Sequence, residues 1–353
     1  MPQTATSQSE SYDLIILGSG IAGLAAARAG TAAGKSVLVV DKGRRIGGRV
    51  ATRRADGFRF NHGAQFLTAR GDSFSKLCDS ALAAGALAKW QVAGRDAFCG
   101  TPSMRDFPAF LGSGLTICQE VEISHIERVD AGVCFHDASG VVAHARRAII
   151  TAPAPQSATL LADVAPELGV TASTARYAPC MTAMFGFDDA QILPAQTGPV
   201  TDLDGPVGWG VWESHRPDGD SSRVSTLSPL ALSPLAPPHL ARPHLARPHL
   251  ALTVQGGPDW SAAHLEDDPA EIAAALLQAW QEKTGTRLPA PQYAAAHRWR
   301  YARVIEPAEN AAPIVSQGLN GGDIAIAGDW LAGARIEDAF VSGERAFAAL
   351  MSL

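Results

Sequence analysis

Three glycines, a carboxylate and an arginine carry the sharpest chemistry in this chain. Gly18, Gly20 and Gly23 stand in the spacing G-x-G-x-x-G within "YDLIILGSGIAGLAAARAG". A strand precedes them and a small-residue helix follows. In that context Gly18 makes the turn, Gly20 lets a pyrophosphate approach the backbone, and Gly23 lets helix and strand pack closely. The helix N-terminus then offers free N–H groups to an anion. Asp41 ends the next strand, "SVLVVD", 23 residues after Gly18, where a carboxylate can take a ribose diol. These features imply a dinucleotide and leave NAD and FAD both open.

Six Lys or Arg side chains (Lys42, Arg44, Arg45, Arg49, Arg53 and Arg54) fall in the thirteen residues after Asp41. The chain as a whole carries a formal net charge of −6, so the cluster serves a local anion and no global field argues for nucleic acid. Gly47 and Gly48 bring the backbone close to a ligand, and the guanidinium of Arg49 can pair bidentately with phosphate oxygens. A plain solvated basic loop would suit Arg44 or Arg54, but the double glycine before Arg49 adds needless entropy cost to such a loop.

The elements that must position these groups are legible in outline. Residues 12–41 read as strand, turn, helix and a second strand without polar alternation, as in a parallel strand buried on both faces. Residues 115–151 alternate polar and apolar residues around a turn at "DASG" and predict an antiparallel meander. "DPAEIAAALLQAWQEKTG" predicts an amphipathic helix capped by Asp268 and stopped by Gly285. From Gly318 the strand-then-helix pattern returns, with "DIAIAGDW" ending a strand at Gly328 and Asp329 and "ARIEDAF" opening a helix. Residues 228–252 are five pentapeptides, SPLAL, SPLAP, PHLAR, PHLAR and PHLAL, whose regular prolines forbid a helix. A solvated insert fits this tract better than a metal array of His239, His244 and His249, since a period of five matches no helical ligand spacing.

At 353 residues and 46% hydrophobic, the chain can bury a large core. Its five cysteines are scattered with no CxxC pair, which predicts neither a disulfide framework nor a metal site and fits a reducing cytoplasm. The leader, residues 1–11, is polar and reads as a disordered terminus. No uncharged stretch approaches the roughly 20 residues a membrane span requires.

The "GGR" element resembles the FAD-binding signature of the amine oxidase superfamily. Together with "FNHGAQFLTAR" at 60–70, "TAPAPQ" at 151–156, "HRWRYARV" at 297–304 and "GDWLAGARIEDAFVSG" at 328–343, it is similar to the bacterial renalase-like branch. The likeness spans nearly the whole chain apart from the leader and the pentapeptide tract. It implies an α/β fold: a Rossmann-like two-dinucleotide-fingerprint FAD-binding domain (12–75, 115–155 and 318–353) interleaved with a mixed α+β substrate domain (76–114 and 156–317). It implies FAD as cofactor, a small-molecule donor such as a 2- or 6-dihydro isomer of NAD(P)H, and O2 reduced to H2O2, in a monomer or homodimer with no nucleic-acid or membrane partner. A flavin amine oxidase or desaturase on the same frame, and a non-enzymatic flavin-bound redox module, remain alternatives.

Residue by residue, the resemblance assigns cofactor contacts to Gly18, Ser19, Gly20, Ile21, Ala22, Gly23, Asp41, Lys42, Arg45, Gly48, Arg49 and Val50. It adds Gly63, Ala64 and Gln65 near the flavin ring, Ile123 beside the adenine, Ala152, and Asp329 with Ile336, Glu337 and Asp338 at the last helix. Two positions depart from the pattern: Asp41 stands where Glu is usual, and Gln255 where His is often found. For chemistry, Gln65 can hydrogen-bond flavin or substrate. On a strand, His297, Trp299 and Tyr301 share one face and Arg298 and Arg300 the other. An aromatic face suits a flat ring and an arginine suits a phosphate or carboxamide, so Gln65, Trp299 and Arg298 are the expected catalytic set. Trp299 and Tyr301 as ordinary core residues is the competing reading. His62 reads as a satisfied loop histidine.

Overall fold

The computed structural model describes residues 11–187, 198–201, 205–217, 250–309, 315–318 and 321–353. In chain order, β1 (Ser11–Leu17), α1 (Ile21–Ala32) and β2 (Val37–Asp41) precede a short hairpin, β3 (Arg53–Ala55) and β4 (Phe58–Phe60). Then come α2 (Asp72–Ala83), a second hairpin of β5 (Leu87–Val92) and β6 (Arg95–Gly100), and α3 (Asp106–Leu111). Strands β7 (Thr116–Gln119), β8 (His125–Val129), β9 (Gly132–Asp137) and β10 (Gly140–Ile150) lead to α4 (Ala154–Leu161) and α5 (Pro166–Thr174). The next unit is β11 (Arg176–Phe187), β12 (Val207–Trp212), β13 (Leu250–Gly256), α6 (Pro258–Ala263), α7 (Pro269–Thr284) and β14 (Tyr293–Glu306). The chain closes with β15 (Val315–Ser316), β16 (Asp323–Ile326) and α8 (Ile336–Met351).

The main sheet runs β15-β16-β10-β1-β2-β7, with β16, β10, β1, β2 and β7 mutually parallel. Ile15, Leu17, Leu38 and Val40 point to one face, covered by α4, α5 and the β8–β9 hairpin. Leu14, Ile16, Val37 and Val39 point to the other, covered by α1 and α8. Both faces are buried, which is why these strands lack polar alternation. The register puts Leu17, Val40, Ile150 and Ile326 at one edge, so Asp41 ends its strand there and Gly18, Ala152 and Asp329 lie just past the carboxyl ends of neighbouring strands. Ligands of open α/β sheets bind at that edge.

A second, antiparallel sheet has the order β12-β13-β11-β14. Its outer face, with Met181, Phe185, Leu252 and Val254, packs on Ile272, Leu276 and Trp280 of α7. Asp268 caps α7 through a 2.7 Å bond from the Ala270 N–H, and Gly285 ends it at φ 64°, as the sequence predicts. The segment from α2 to α3 shares a core with Ile21 and Leu24 of α1 and with Trp209 and Val211 of β12.

Two expectations need correction. Residues 116–119 do not join a meander: β7 extends the parallel sheet beside β2, and only β8, β9 and β10 run antiparallel. Alternation along one strand carries no information about its partner's direction. The pentapeptide tract also ends earlier than 252. Leu250, Ala251 and Leu252 open β13 and pair with Phe187, Gly186 and Phe185, because the last repeat, PHLAL, carries an apolar run that a sheet can bury. The rest of the tract, with its three histidines, and the leader through residue 10 lie outside the described residues. Among the described residues no helix is long and apolar enough to cross a membrane.

Candidate active site at the carboxyl edge of the parallel sheet

The glycine turn is built for an anion. Gly18 adopts φ 106°, a region that L side chains rarely enter, and a Cβ there would meet Thr151 Oγ1 at 2.4 Å. No side chain caps α1, and the space beside Gly20 where a Cβ would sit holds no atom within 4 Å. Free N–H groups and the positive end of the helix dipole therefore face an open cradle, which fits a pyrophosphate. Ser19, Ile21 and Ala22 are buried in the turn and first helical residues.

Asp41 is fixed by its neighbours. Its Oδ2 accepts the Ser19 hydroxyl at 2.8 Å and the Ser19 N–H, and its Oδ1 accepts the Gly43 N–H at 2.6 Å. The short side chain thus latches the glycine turn to the end of β2 while staying half-buried, with lone pairs left for a ribose hydroxyl. Gly47 N–H donates to the Ser19 carbonyl, which sets the double-glycine turn and Val50 against the same loop. Lys42 and Arg45 are exposed, and Lys42 pairs with Glu122 at 3.2 Å. Ile123 is buried beside β2, and the Ala152 carbonyl accepts Trp330 Nε1 at 3.2 Å.

Arg49 does more than sequence reasoning assigns it. Its Nη2 donates to Asp329 Oδ1 at 2.6 Å, its Nη1 to the Ala302 carbonyl at 3.1 Å, and its guanidinium lies over the Tyr177 ring at 6.0 Å. One side chain thereby joins the double-glycine turn to the segment after β16, 280 residues apart in the chain. At α8, Asp338 accepts the Arg335 N–H at 3.0 Å as a cap. Buried Glu337 accepts the Gly71 and Arg70 N–H groups at 2.6 and 3.2 Å, and Arg335 as well. These carboxylates hold the helix start and the loop before α2, while Ile336 packs against the core beneath.

Gly63 and Ala64 run beside Arg49, with the Ala64 N–H bonded to the Arg49 carbonyl at 2.8 Å. A Cβ on Gly63 would sit 2.0 Å from that same oxygen, so no other residue fits there. Above this loop lies the inner face of the second sheet. Register places Trp209, Gln255, Thr182 and His297 in one row across its four strands, with Trp299 opposite Cys180 in the next. Gln255 Nε2 donates to the Gly63 carbonyl at 2.9 Å, and Trp299 Nε1 to the His62 carbonyl at 2.8 Å. His62 stacks on Trp299 at 5.3 Å and meets the edge of His297 at 5.1 Å. The structure brings Trp299 to this face, and Gln65 meets it only at its end, where its side-chain oxygen accepts Trp209 Nε1 at 3.1 Å.

Arg298 and Arg300 are not brought there. Both point to the opposite side of the strand and pair with Glu266, at 3.2 and 2.8 Å, and Arg298 also donates to the Asp267 carbonyl. Adjacent residues of a strand face opposite ways, and the Glu266 loop lies on the outer side. Tyr301 also leaves the row. An irregularity in the β11–β14 register turns it onto Tyr177 at 5.6 Å.

Sequence reasoning missed a buried polar network beneath the loop. Glu213 accepts the Asn61 N–H at 2.8 Å, Asn61 Nδ2 at 2.7 Å and the Thr253 hydroxyl at 2.6 Å, and it pairs with Arg216 Nε at 2.8 Å. Arg216 donates to the Gln65 carbonyl at 2.7 Å and to its side-chain oxygen, which also accepts Trp209 Nε1. Gln65 Nε2 donates back to the Asn61 and Gly63 carbonyls. The only signal in the sequence is a Glu and an Arg three apart after the aromatic strand "VGWGVW".

His62 is not an ordinary loop histidine. Burial, then the positive fields of His297 and Arg53, push its pKa from 6.5 to about 3, and its Nδ1 has no hydrogen-bond partner among the described residues. The unfolded chain would protonate this imidazole near 6.5, so between about 3 and 6.5 the unfolded form binds more protons. The stability present above 6.5 is therefore lost as pH falls through that window. Relative to His62→Asn, the wild type should lose about 2 kcal/mol more between pH 7 and pH 5. Urea midpoints at the two pH values measure this, and equal slopes for both proteins would contradict the neutral, buried imidazole.

Comparison with known proteins agrees with the geometry. Residues 16–81 match the NAD(P)-binding Rossmann-like domain, and residues 80–351 match the family described as flavin containing amine oxidoreductase. Similar solved structures include a candidate protoporphyrinogen oxidase from an Exiguobacterium species (TM-score 0.67, 15% identity, covering 97% of this chain and 99% of that one). A putrescine oxidase bound to putrescine superposes with TM-score 0.65 at 12% identity, over 98% of this chain and 100% of the other. Cyclohexylamine oxidase from Brevibacterium oxydans gives 0.65 at 14%, over 97% and 99%. With an open helix N-terminus at α1, a half-buried carboxylate at Asp41 beside it and the family match over residues 80–351, the chain belongs to the flavin-containing amine oxidoreductases and is an FAD-dependent oxidoreductase.

Proposed function

We propose that the chain is a renalase-like oxidase that takes a hydride from a 2- or 6-dihydro isomer of NAD(P)H and forms NAD(P)+ and H2O2. The supporting observation is the composition of the inner sheet face. Trp209, Gln255, Thr182 and His297 cross it in one row, Trp299 follows, and none of them is a carboxylate. His62, and His297 beside it, are held toward the neutral form by burial and by the Arg53 charge. A flat ring carrying a carboxamide finds aromatic surface together with amide, hydroxyl and imidazole partners. Among the described residues of this row, a cationic amine finds no carboxylate, and Glu213 nearby is already paired with Arg216.

When bound, FAD accepts the hydride and passes the electrons to O2. The chain's own part is placement. Gln255 and Trp299 tie the substrate sheet to the His62–Gly63 backbone, Gln65 holds the loop from below, and the aromatic wall keeps water from the reacting face. The scattered cysteines, with no CxxC pair, suit a reducing cytoplasm, and we propose that the protein works there as a monomer or homodimer.

The second reading, oxidation of a small amine, draws on the putrescine and cyclohexylamine oxidases among the structural relatives. Peroxide release under air separates the two. The dihydro isomers should each yield one H2O2 per NAD(P)+, ordinary NADH far less, and putrescine or cyclohexylamine none. Peroxide driven by either amine, with the isomers silent, would favour the second reading.

A further inference from the structure

The hydrogen bonds around the inner face of the second sheet run one way. Trp209 Nε1 donates to Gln65 Oε1 at 3.1 Å, and Trp299 Nε1 donates to the His62 carbonyl at 2.8 Å. Gln65 Nε2 donates to the Asn61 and Gly63 carbonyls at 2.6 and 2.9 Å. Gln255 Nε2 donates to the Gly63 carbonyl at 2.9 Å, with the His62 carbonyl and Thr182 Oγ1 each at 3.5 Å. These amide and indole donors are therefore spent on residues 61–65. Gln65 has nothing left. Its oxygen also takes Arg216 Nη2, so both of its lone pairs and both of its N–H groups are used. Gln255 differs, since its oxygen accepts no hydrogen bond among the described residues.

The orientation of the Gln255 amide follows from its partners. A carbonyl oxygen only accepts, so the group facing Gly63 is the NH2 and Oε1 is left on the other side of the amide. Burial decides which members of the row a ligand can reach. Trp209 and Thr182, the two cross-strand neighbours of Gln255, are buried, whereas Gln255, His297 and Trp299 stay partly exposed. The open part of the face is thus an amide oxygen beside an indole and an imidazole. Neighbouring cations turn elsewhere. Arg298 and Arg300 lie on the far side with Glu266. The charges of Arg53 and Arg105 reach His62, but Arg53 is exposed on β3 and Arg105 is held by the Thr52 carbonyl. An amide N–H answers the Gln255 oxygen. A carboxylate brings further acceptors and no donor, and leaves both partners unpaired.

We propose that Gln255 is a specificity-determining residue of this site: its Oε1 accepts an N–H from the carboxamide of a flat substrate ring and thereby selects against the ring's carboxylate counterpart. That the ring belongs to a dihydronicotinamide rests on the function proposed above. The preference for an amide N–H over a carboxylate stands on the hydrogen bonds themselves.

Nicotinamide and nicotinate serve as the probes, since at neutral pH they differ only in that group. Each is titrated into the FAD-loaded protein while the change in flavin absorbance is recorded. Nicotinamide should perturb the spectrum saturably and bind at least about tenfold tighter than nicotinate. Gln255→Leu should weaken nicotinamide about tenfold and nicotinate hardly at all. Gln255→Arg should reverse the order of the two probes. Its guanidinium can keep the bond to the Gly63 carbonyl and still offer N–H groups to a carboxylate, a gain that misfolding does not produce. Selective binding of nicotinamide, with every dihydronicotinamide inert as a hydride donor, would uphold the role of Gln255 and sink the donor reading. Absence of a nicotinamide shift, equal affinity for the two probes, or unweakened nicotinamide binding in Gln255→Leu would overturn the proposal. Loss of FAD from Gln255→Leu would overturn it too, since the oxygen would then serve the cofactor.

Discussion

Glu213→Ala is expected to destabilise the FAD-loaded protein by about 3–5 kcal/mol, the cost of breaking a buried ion pair on one side. Glu213 and Arg216 are both about 95% buried, and Arg216 also packs over the Trp90 ring at 5.1 Å. Removing the carboxylate strands a guanidinium in a site that water does not reach. It also orphans the Asn61 amide and the Thr253 hydroxyl. The damage should not stay local, because Arg216 holds Gln65 from beneath the loop that carries Gly63. A double-mutant cycle with Arg216→Ala in urea checks the account. A coupling energy near zero would mean that the two charges are independently solvated and that the network does not act as a unit.

Arg49→Ala should cost about 2–4 kcal/mol of FAD affinity, through loss of a charge-assisted contact to a partly buried phosphate. The structure adds a second consequence. Asp329 is 5% exposed and has Arg49 as its ion-pair partner, so the variant leaves a buried carboxylate without its counter-charge. The FAD-free variant should therefore also be less stable than the FAD-free wild type, and adding Asp329→Asn should restore part of that loss. Fluorescence titration of released FAD measures the first effect and thermal unfolding of the FAD-free proteins the second. Arg54→Ala, exposed on β3, should leave both unchanged. Equal FAD retention by Arg49→Ala and Arg54→Ala would reduce Arg49 to a loop cation.

What the sequence disclosed is what short-range chemistry encodes. The glycine turn, the strand ending at Asp41, the Gly47–Gly48 bend before Arg49 and the cap-to-stop span from Asp268 to Gly285 each depend on neighbours a few residues away. The two-residue period of β14 was equally readable, and it separated Trp299 from Arg298. Which face looks toward the site was not readable, because that is decided by α7 and the Glu266 loop packing on the other side. Tyr301 was misplaced for a related reason, since an irregularity in pairing with β11 depends on both strands together. The Glu213 network joins residues 151 and 152 positions apart through side chains that are ordinary in their own segments. Buried polar pairs of this kind are specified by tertiary closure and leave no periodic trace.

Anaerobic mixing of the purified yellow protein with single donors tests the central claim most directly, because it watches the flavin before O2 or product release intervenes. The account predicts complete bleaching of the flavin absorbance within seconds by a 2- or 6-dihydro isomer of NAD(P)H. It predicts slow bleaching by ordinary NADH and none by putrescine or cyclohexylamine. Binding of the isomers should weaken as salt rises, since their phosphates are screened. Rapid bleaching by an amine, with the dihydronicotinamide isomers inert, would contradict the account.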